Sequence, residues 1–165
     1  MILPILEYPD KRLRTVAKPV EKINDTVNKL IKDMFDTMYN APGIGLAATQ
    51  VDYHQRIIVV DVSENQNEPI ILINPEIIDK SGEIESEEGC LSVPSYYENV
   101  KRANNIRVKS LDQNGDALQT NVSGMLAICI QHEIDHLDGI LFVDHLSKLK
   151  QKRLKKKTQK KSKQL

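Results

Sequence analysis

Apolar side chains change their spacing several times along this chain, and each change marks an element. Between Asp25 and Asn40 they fall at Val27, Leu30, Ile31, Met34, Phe35 and Met38. Steps of three and four put these positions on one face of a helix. Asp25 is placed to cap its start, and Pro42, Gly43 and Gly45 end it. The pattern then turns to β-branched runs, which predict strands over Arg56–Val62, Pro69–Asn74, Ile77–Ile84 and Ile106–Leu111. Asp112–Gly115 reads as a turn. Helical spacing returns from Ser123 to Leu137, with Ser123 as the cap and Gly139 as the stop. A last helix starts near Asp144 and runs into a Lys-rich end. Helix, strands, then helices predict a single α+β domain.

Composition narrows the class. The chain has 165 residues, 40% hydrophobic and 28% charged, enough for one core without disulfide staples. Its two cysteines, Cys90 and Cys129, cannot make a disulfide framework. The opening MILPILEYPDKR is broken by Pro4 and Pro9, unlike a secretory leader. No apolar run nears the roughly 18 residues of a membrane span. These features predict a reducing, cytoplasmic setting with thiols that are free or metal-bound.

Charge changes the picture at one end. Residues 148–163 hold ten Lys/Arg and no acid, so residues 1–147 carry 13 basic and 23 acidic side chains, a net of −10. An acidic body with a basic tail (148–165) is not the pattern of a protein wrapped in nucleic acid. It does offer one end to an anionic partner.

The sharpest chemical signal is His132-Glu133-Ile134-Asp135-His136. On a helix, residues four apart face nearly the same way, one turn apart, so both imidazoles reach one metal. Glu133 sits one step round, within reach of a water at that point without being a ligand. This is the H-E-x-x-H pattern of metal-dependent amide hydrolysis. A scrambled chain of this composition would hold about 0.006 such matches, so chance does not account for it.

Two His leave the site incomplete, because a catalytic centre takes about three protein ligands and keeps one position open. A third His six residues after His136 would fall on Phe142, and no Glu follows Glu133. Cys129 is too close to His132 along the same helix and reads as a small core residue. His54 lies in a polar turn, and His145 follows the helix end. Elimination leaves Cys90, within Glu88-Gly89-Cys90-Leu91-Ser92. A further segment, Gly43-Ile44-Gly45-Leu46-Ala47-Ala48-Thr49-Gln50, offers a bare backbone edge to a peptide. The Gln50 amide there would be a neutral donor to an oxyanion.

GIGLAATQ (43–50), EGCLS (88–92) and QHEIDH (131–136) together resemble, in order, the three motifs of the peptide deformylase family. The opening ILEYPDKRLR and the stretch GILFVDHLS (139–147) resemble it too, so the likeness runs up to the basic tail. It implies antiparallel strands around a central helix carrying H-E-x-x-H, with an N-terminal and a C-terminal helix. It implies removal of the formyl group from N-terminal formyl-methionine of nascent chains. It assigns Cys90, His132 and His136 as ligands of one divalent metal, natively Fe2+, with Zn2+, Ni2+ or Co2+ able to substitute. Glu133 is then the general base, and Gln50 with the Leu91 N–H holds the oxyanion. The substrate lies extended beside Gly45 and Gly89. The methionine pocket is expected from Ile44, Met125, Ile128 and Cys129, since 125, 128 and 129 share the helix face of His132.

One departure stands out. Seven residues after Cys90, where many relatives carry Arg near the substrate path, this chain has Tyr97. Arg102 matches a frequent family Arg and either contacts substrate or pairs with an acid such as Glu88. The tail 148–165 is expected to be a solvated helix or a ribosome-docking element, on a chain that is otherwise a monomer. Two competing readings use the same motif: a metalloendopeptidase, and a non-enzymatic ribosome- or RNA-binding protein with a structural metal. The second would need a fourth protein ligand, and no second suitable Cys exists.

Overall fold

The Ile57–Val60 run is apolar at every position because both its faces are covered. In the computed structural model, which describes residues 1–164 and side chains through Lys160, this run is a strand inside a five-stranded sheet. Seven strands form in chain order: β1 (Gly45–Ala47), β2 (Ile57–Val60), β3 (Ile70–Ser81), β4 (Ile84–Cys90), β5 (Val93–Arg102), β6 (Asn105–Leu111) and β7 (Ala117–Ser123). The larger sheet has the order β1-β2-β3-β6-β7, all antiparallel, and β4 pairs only with β5. Among the described residues three α-helices complete the fold: α1 (Asp25–Asn40), α2 (Gly124–Leu137) and α3 (Lys148–Gln164).

Alternation along β2 sends Ile57 and Val59 into a cluster with Val27, Leu30, Ile31, Met34 and Met38 of α1. Ile58 and Val60 enter a second cluster with Ala127, Cys129, Ile130, Ile134 and Leu137 of α2. The sheet is thus sandwiched locally between two helices, and a strand buried on both sides reads as an unbroken apolar run. Each such side chain contributes roughly 1.5–3 kcal/mol on burial. A third cluster joins Leu6, Leu13, Val93, Val100, Leu141, Phe142 and Val143 to Leu154 of α3.

The expected helices at 25–40 and 123–137 form where their spacing put them. Their caps differ in detail. Asn24, not Asp25, caps α1, its side chain accepting from the Val27 N–H at 3.0 Å. Ser123 holds the cap position of α2, but its side chain makes no capping bond. Gly124, at φ +64°, instead turns the chain straight from β7 into the helix.

Three expectations are corrected. The strand expected to end at Asn74 instead continues through Pro75, and β3 runs from Ile70 to Ser81. Proline's missing N–H is absorbed by a register shift between Ile73 and Glu76, with Asn74 at φ +52°. The strand predicted over Ile77–Ile84 is divided at Gly82, φ +70°, its second part opening β4. The last helix does not start at Asp144. That carboxylate is committed to the Leu141 N–H and to Arg14, closing a 3-10 turn at Phe142–His145. Helix α3 begins afresh at Lys148. Leu154 anchors it, 4% exposed, whereas Leu149 is exposed.

Asp61 ties the end of β2 to its surroundings. Its carboxylate accepts from the Tyr39 hydroxyl at 2.6 Å, from the Ser63 N–H and from the Glu68 N–H, and its own N–H donates to the Ile44 carbonyl. Burial acts to raise this carboxyl, but the hydrogen bonds from Ser63 and Tyr39 prevail and hold it below the usual range. A carboxylate lowered on folding stabilises above its unfolded value of about 3.9, and that stabilisation is lost as pH falls through the folded value. Asp61→Asn is therefore expected to lose about 1–3 kcal/mol in urea unfolding at pH 7. The gap to the unsubstituted chain should narrow below about pH 4.

Candidate metal centre and active site

Helix α2 is buried on almost every side, and this brings its polar residues inside. His132, Glu133 and His136 are 7%, 4% and 0% exposed. The β4–β5 turn faces them and delivers Cys90, with Cys90 Sγ 3.2 Å from His136 Nε2. One donor atom each from Cys90, His132 and His136 lies within 4.8 Å of the others. Donors sharing a tetrahedral ion would sit about 3.3–3.6 Å apart, given metal–sulfur and metal–nitrogen bonds of about 2.3 and 2.0–2.1 Å.

Two of the three donors are held from behind. His132 Nδ1 donates to Glu88 Oε1 at 2.9 Å. Glu88 also takes Arg102 Nε at 2.8 Å and Nη2 at 2.9 Å. Burial raises the Glu88 carboxyl, yet Arg102 and His132 together bring it down to about 2. An ionised carboxylate only accepts, so Nδ1 of His132 carries a proton and Nε2 is the atom left for a ligand. Burial lowers this imidazole, but Glu133, Cys90 and Glu88 raise it well above its ordinary value, so a metal at Nε2 would displace a proton there. Burial, with His132 alongside, holds His136 well below the ordinary imidazole value, so it is neutral as a ligand must be. The Ser92 N–H points at Cys90 Sγ from 3.4 Å.

Among the described residues, Glu133 Oε1 and His136 Nδ1 are buried without a hydrogen-bond partner. Orphaned buried polar atoms are costly and call for an explanation. A water at an open metal position beside Glu133 would supply one for Oε1, so donor set and orphan atom both fit a metal. Burial pushes the Glu133 carboxyl up to about 7, against lowering by His132 and Arg102.

A cavity of about 450 Å³ opens onto this cluster. Ile44, Gly45, Gln50, Gly89, Cys90, Leu91, Met125, Ile128, Cys129, His132 and Glu133 all line it. His136 alone of the expected site residues lies behind the wall. Ile128 and Cys129 are deep, while Ile44 and Met125 are exposed at the mouth. The Cys129 thiol, pushed well up by burial, donates to the Ile44 carbonyl at 3.6 Å and stands outside the donor cluster. Gln50 is 1% exposed. Its Oε1 accepts from the Ala47 N–H, and its Nε2 donates to Ser92 Oγ at 3.0 Å and faces Cys90 Sγ at 3.6 Å. Leu91 follows Cys90 in the turn, its side chain against Gly43.

The discarded ligands stay apart from the centre. His54 bonds to Asp52, and His145 bonds to Asp135. Arg102 turns inward to Glu88 and Asp135 rather than lining the cavity. Ser92 and Asp135 were not singled out from the sequence. Ser92 had a signal, its place two residues after Cys90 in the turn. Tyr97 lies over Gly89 and, with Glu87, Pro94 and Ser95, rims the cavity.

A family model described as polypeptide deformylase matches residues 2–152. The chain belongs to the peptide deformylase family. This family removes the N-formyl group from nascent peptides, and the chain is an enzyme of that kind. It is 56% identical to a peptide deformylase of Cellvibrio japonicus, over 98% of this chain and 96% of that one. Its fold matches a crystal structure of a Legionella pneumophila peptide deformylase with a TM-score of 0.93 and 48% identity, covering 99% and 96% of the two chains. A Met-Ala-Ser-bound class I type b peptide deformylase from Acinetobacter baumannii also matches, with a TM-score of 0.84, 34% identity and 88% and 99% coverage. Deformylases are metal-dependent, and Cys90, His132 and His136 form a cluster able to hold the ion. Among the described residues no helix is long and apolar enough to cross a membrane.

Gly45 leaves room for the Glu133 carboxylate and the Cys129 thiol. A Cβ there would lie 2.5 Å from Glu133 Oε2 and 2.7 Å from Cys129 Sγ. Gly45→Ala is expected to displace the Glu133 carboxylate and slow formate release by about 100-fold. Metal content, measured by atomic emission, should not change.

Proposed function

We propose that Cys90, His132 and His136 hold one divalent metal and that Glu133 is the general base of deformylation. The observation that carries this is the convergence of three donor atoms within 4.8 Å beside the buried, partnerless Glu133 oxygen. The ion is Fe2+, and the mixed thiolate–imidazole set also suits Zn2+, Ni2+ or Co2+. When bound, it supplies Lewis acidity that polarises the formyl carbonyl and acidifies an attacking water.

The chain's own groups do the rest. Glu133 accepts the proton of the attacking water, then delivers it to the leaving amine as the C–N bond breaks and formate departs. Gln50 Nε2 and the Leu91 N–H stabilise the negative oxygen that develops on the formyl carbon. The peptide lies extended between the backbones at Gly45 and Gly89, an arrangement suited to strand-like pairing. Its methionine side chain enters among Ile44, Met125, Ile128 and Cys129. The Met-Ala-Ser peptide bound to the Acinetobacter relative is consistent with a methionine-led ligand here. Tyr97 stands at the rim, where the residues after methionine leave the cavity.

Residues 1–147 constitute the catalytic unit, and 148–165 form a basic appendage rather than a separate domain. We assign to that appendage a contact with ribosomal RNA near the emerging chain, supported by its run of exposed lysines and by the nascent substrate. The setting is cytoplasmic. The enzyme acts as a monomer, consistent with exposed apolar residues that are mostly scattered.

Two experiments test this reading. The first is formate release from a short formyl-Met peptide by anaerobically purified, Fe2+-loaded protein. Glu133→Ala should retain one equivalent of metal and lose roughly 10³-fold in rate. Near-normal turnover in that variant would remove Glu133 from its role. The second replaces Lys152, Lys155, Lys156 and Lys160 by Gln, leaving the Leu154 anchor intact. Ribosome co-sedimentation at low salt should fall, while turnover of the short peptide is unchanged. Undiminished co-sedimentation would refute the docking role.

A further inference from the structure

Behind the centre runs a chain of charged groups whose inner end is His132. His132 Nδ1 and two guanidinium nitrogens of Arg102 share the Glu88 carboxylate. The third nitrogen, Arg102 Nη1, donates to Asp135 Oδ2 at 2.6 Å, and His145 Nε2 meets the same oxygen at 2.9 Å. The side chains of Glu88 and Arg102 are each 5% exposed, that of Asp135 22%, and that of His145 40%.

A guanidinium is a rigid plane. With Nε and Nη2 committed to Glu88, the direction of Nη1 is set, and Asp135 occupies that direction. Each carboxylate therefore fixes the plane for the other. The elements joined are those that bear the metal donors. Glu88 is on β4, two residues before Cys90, and Arg102 ends β5, paired with β4. Asp135 is on α2, between His132 and His136. One buried cation thus ties the strand carrying the sulfur to the helix carrying both imidazoles.

We propose that Arg102 and Asp135 are positioning residues for the metal centre. Asp135 holds Arg102, Arg102 holds Glu88, and Glu88 holds His132 with Nε2 free to ligate. This rests on the reading of Cys90, His132 and His136 as the ligands. An ion-pair network that served folding alone would change the stability of the metal-free chain and leave metal retention untouched. Buried ion pairs are a poor source of net stability in any case, whereas partners behind a ligating His commonly govern how firmly the ion is held.

The test compares the full chain with Asp135→Asn, Arg102→Lys and His145→Ala. Three properties are read: release of Zn2+ to excess chelator, the visible spectrum of the Co2+ form, and thermal unfolding of the metal-free protein. Asp135→Asn keeps the volume and removes the charge; Arg102→Lys keeps the charge and removes the fork. Each is expected to release Zn2+ about 10-fold faster, with an altered Co2+ spectrum. kcat should fall while KM for a short formyl-Met peptide stays nearly constant. Asp135→Glu should recover part of the retention. His145→Ala cuts only the exposed outer contact and should release Zn2+ within about twofold of the unsubstituted chain. Release at the unsubstituted rate in both Asp135→Asn and Arg102→Lys overturns the proposal, whatever happens to the thermal midpoint. Should one of them fail to fold, the other decides alone. If the unsubstituted chain takes up no ion at these residues, the ligand assignment fails and this inference with it. If it takes up one equivalent and the substitutions do not alter its release, this inference alone fails.

Discussion

Burial of α2 on nearly every side governs the rest of this structure. A helix with that much apolar surface must be enclosed, and here it carries His132, Glu133 and His136 into the interior with it. Ionisable groups in such a place are tolerated when they are paired, neutralised or bound to an ion. The surroundings meet that demand one residue at a time. Glu88 takes His132, burial keeps His136 neutral, and Arg102 balances Glu88 and Asp135. Among the described residues, Glu133 Oε1, at the cavity wall, and His136 Nδ1 are left without partners. On the proposed reading, the unpaired Glu133 oxygen is the group that takes the proton of the attacking water.

The two sheets divide the work. The five-stranded sheet supplies the apolar surfaces that bury α1 and α2 on its opposite faces. The β4–β5 pair buries little and brings Cys90, Leu91 and Ser92 to the donor helix through one tight turn. Gly45 and Gly89 border the resulting cavity, and each lies against a side chain that a methyl group would strike. Close packing here leaves bare backbone on both sides of an apolar pocket. A peptide can use such edges without side-chain specificity beyond its first residue.

A few of the exposed apolar groups stand where the cavity meets solvent. Ile44, Tyr97 and Met125 all stand at that rim. No lysine or arginine lines the cavity among the described residues, and Arg102 is turned away to Glu88. The basic charge of the molecule is instead concentrated on α3, joined to the body by Leu154. The cavity and the basic helix therefore lie on separate parts of the chain.

Periodic apolar spacing was enough to locate α1, α2, β2 and β6, because burial of one face or two leaves a local record in the residues themselves. H-E-x-x-H was equally plain, since a helix alone fixes the relation between residues four apart. Strands β4, β5 and β7 left little trace. Their side chains are mostly exposed, and pairing through backbone hydrogen bonds makes small demands on residue type. Continuity of β3 through Pro75 depended on a bulge whose partner, β6, lies some thirty residues on. The start of α3 depended on Arg14 reaching Asp144 from the other end of the chain. Cys90 was found by eliminating other residues, but its distance from His136 follows from a turn packed against a helix more than forty residues away. The Arg102 bridge from Glu88 to Asp135 has the same origin. Local sequence records which face of a segment is buried; it holds no record of which distant segment will face it.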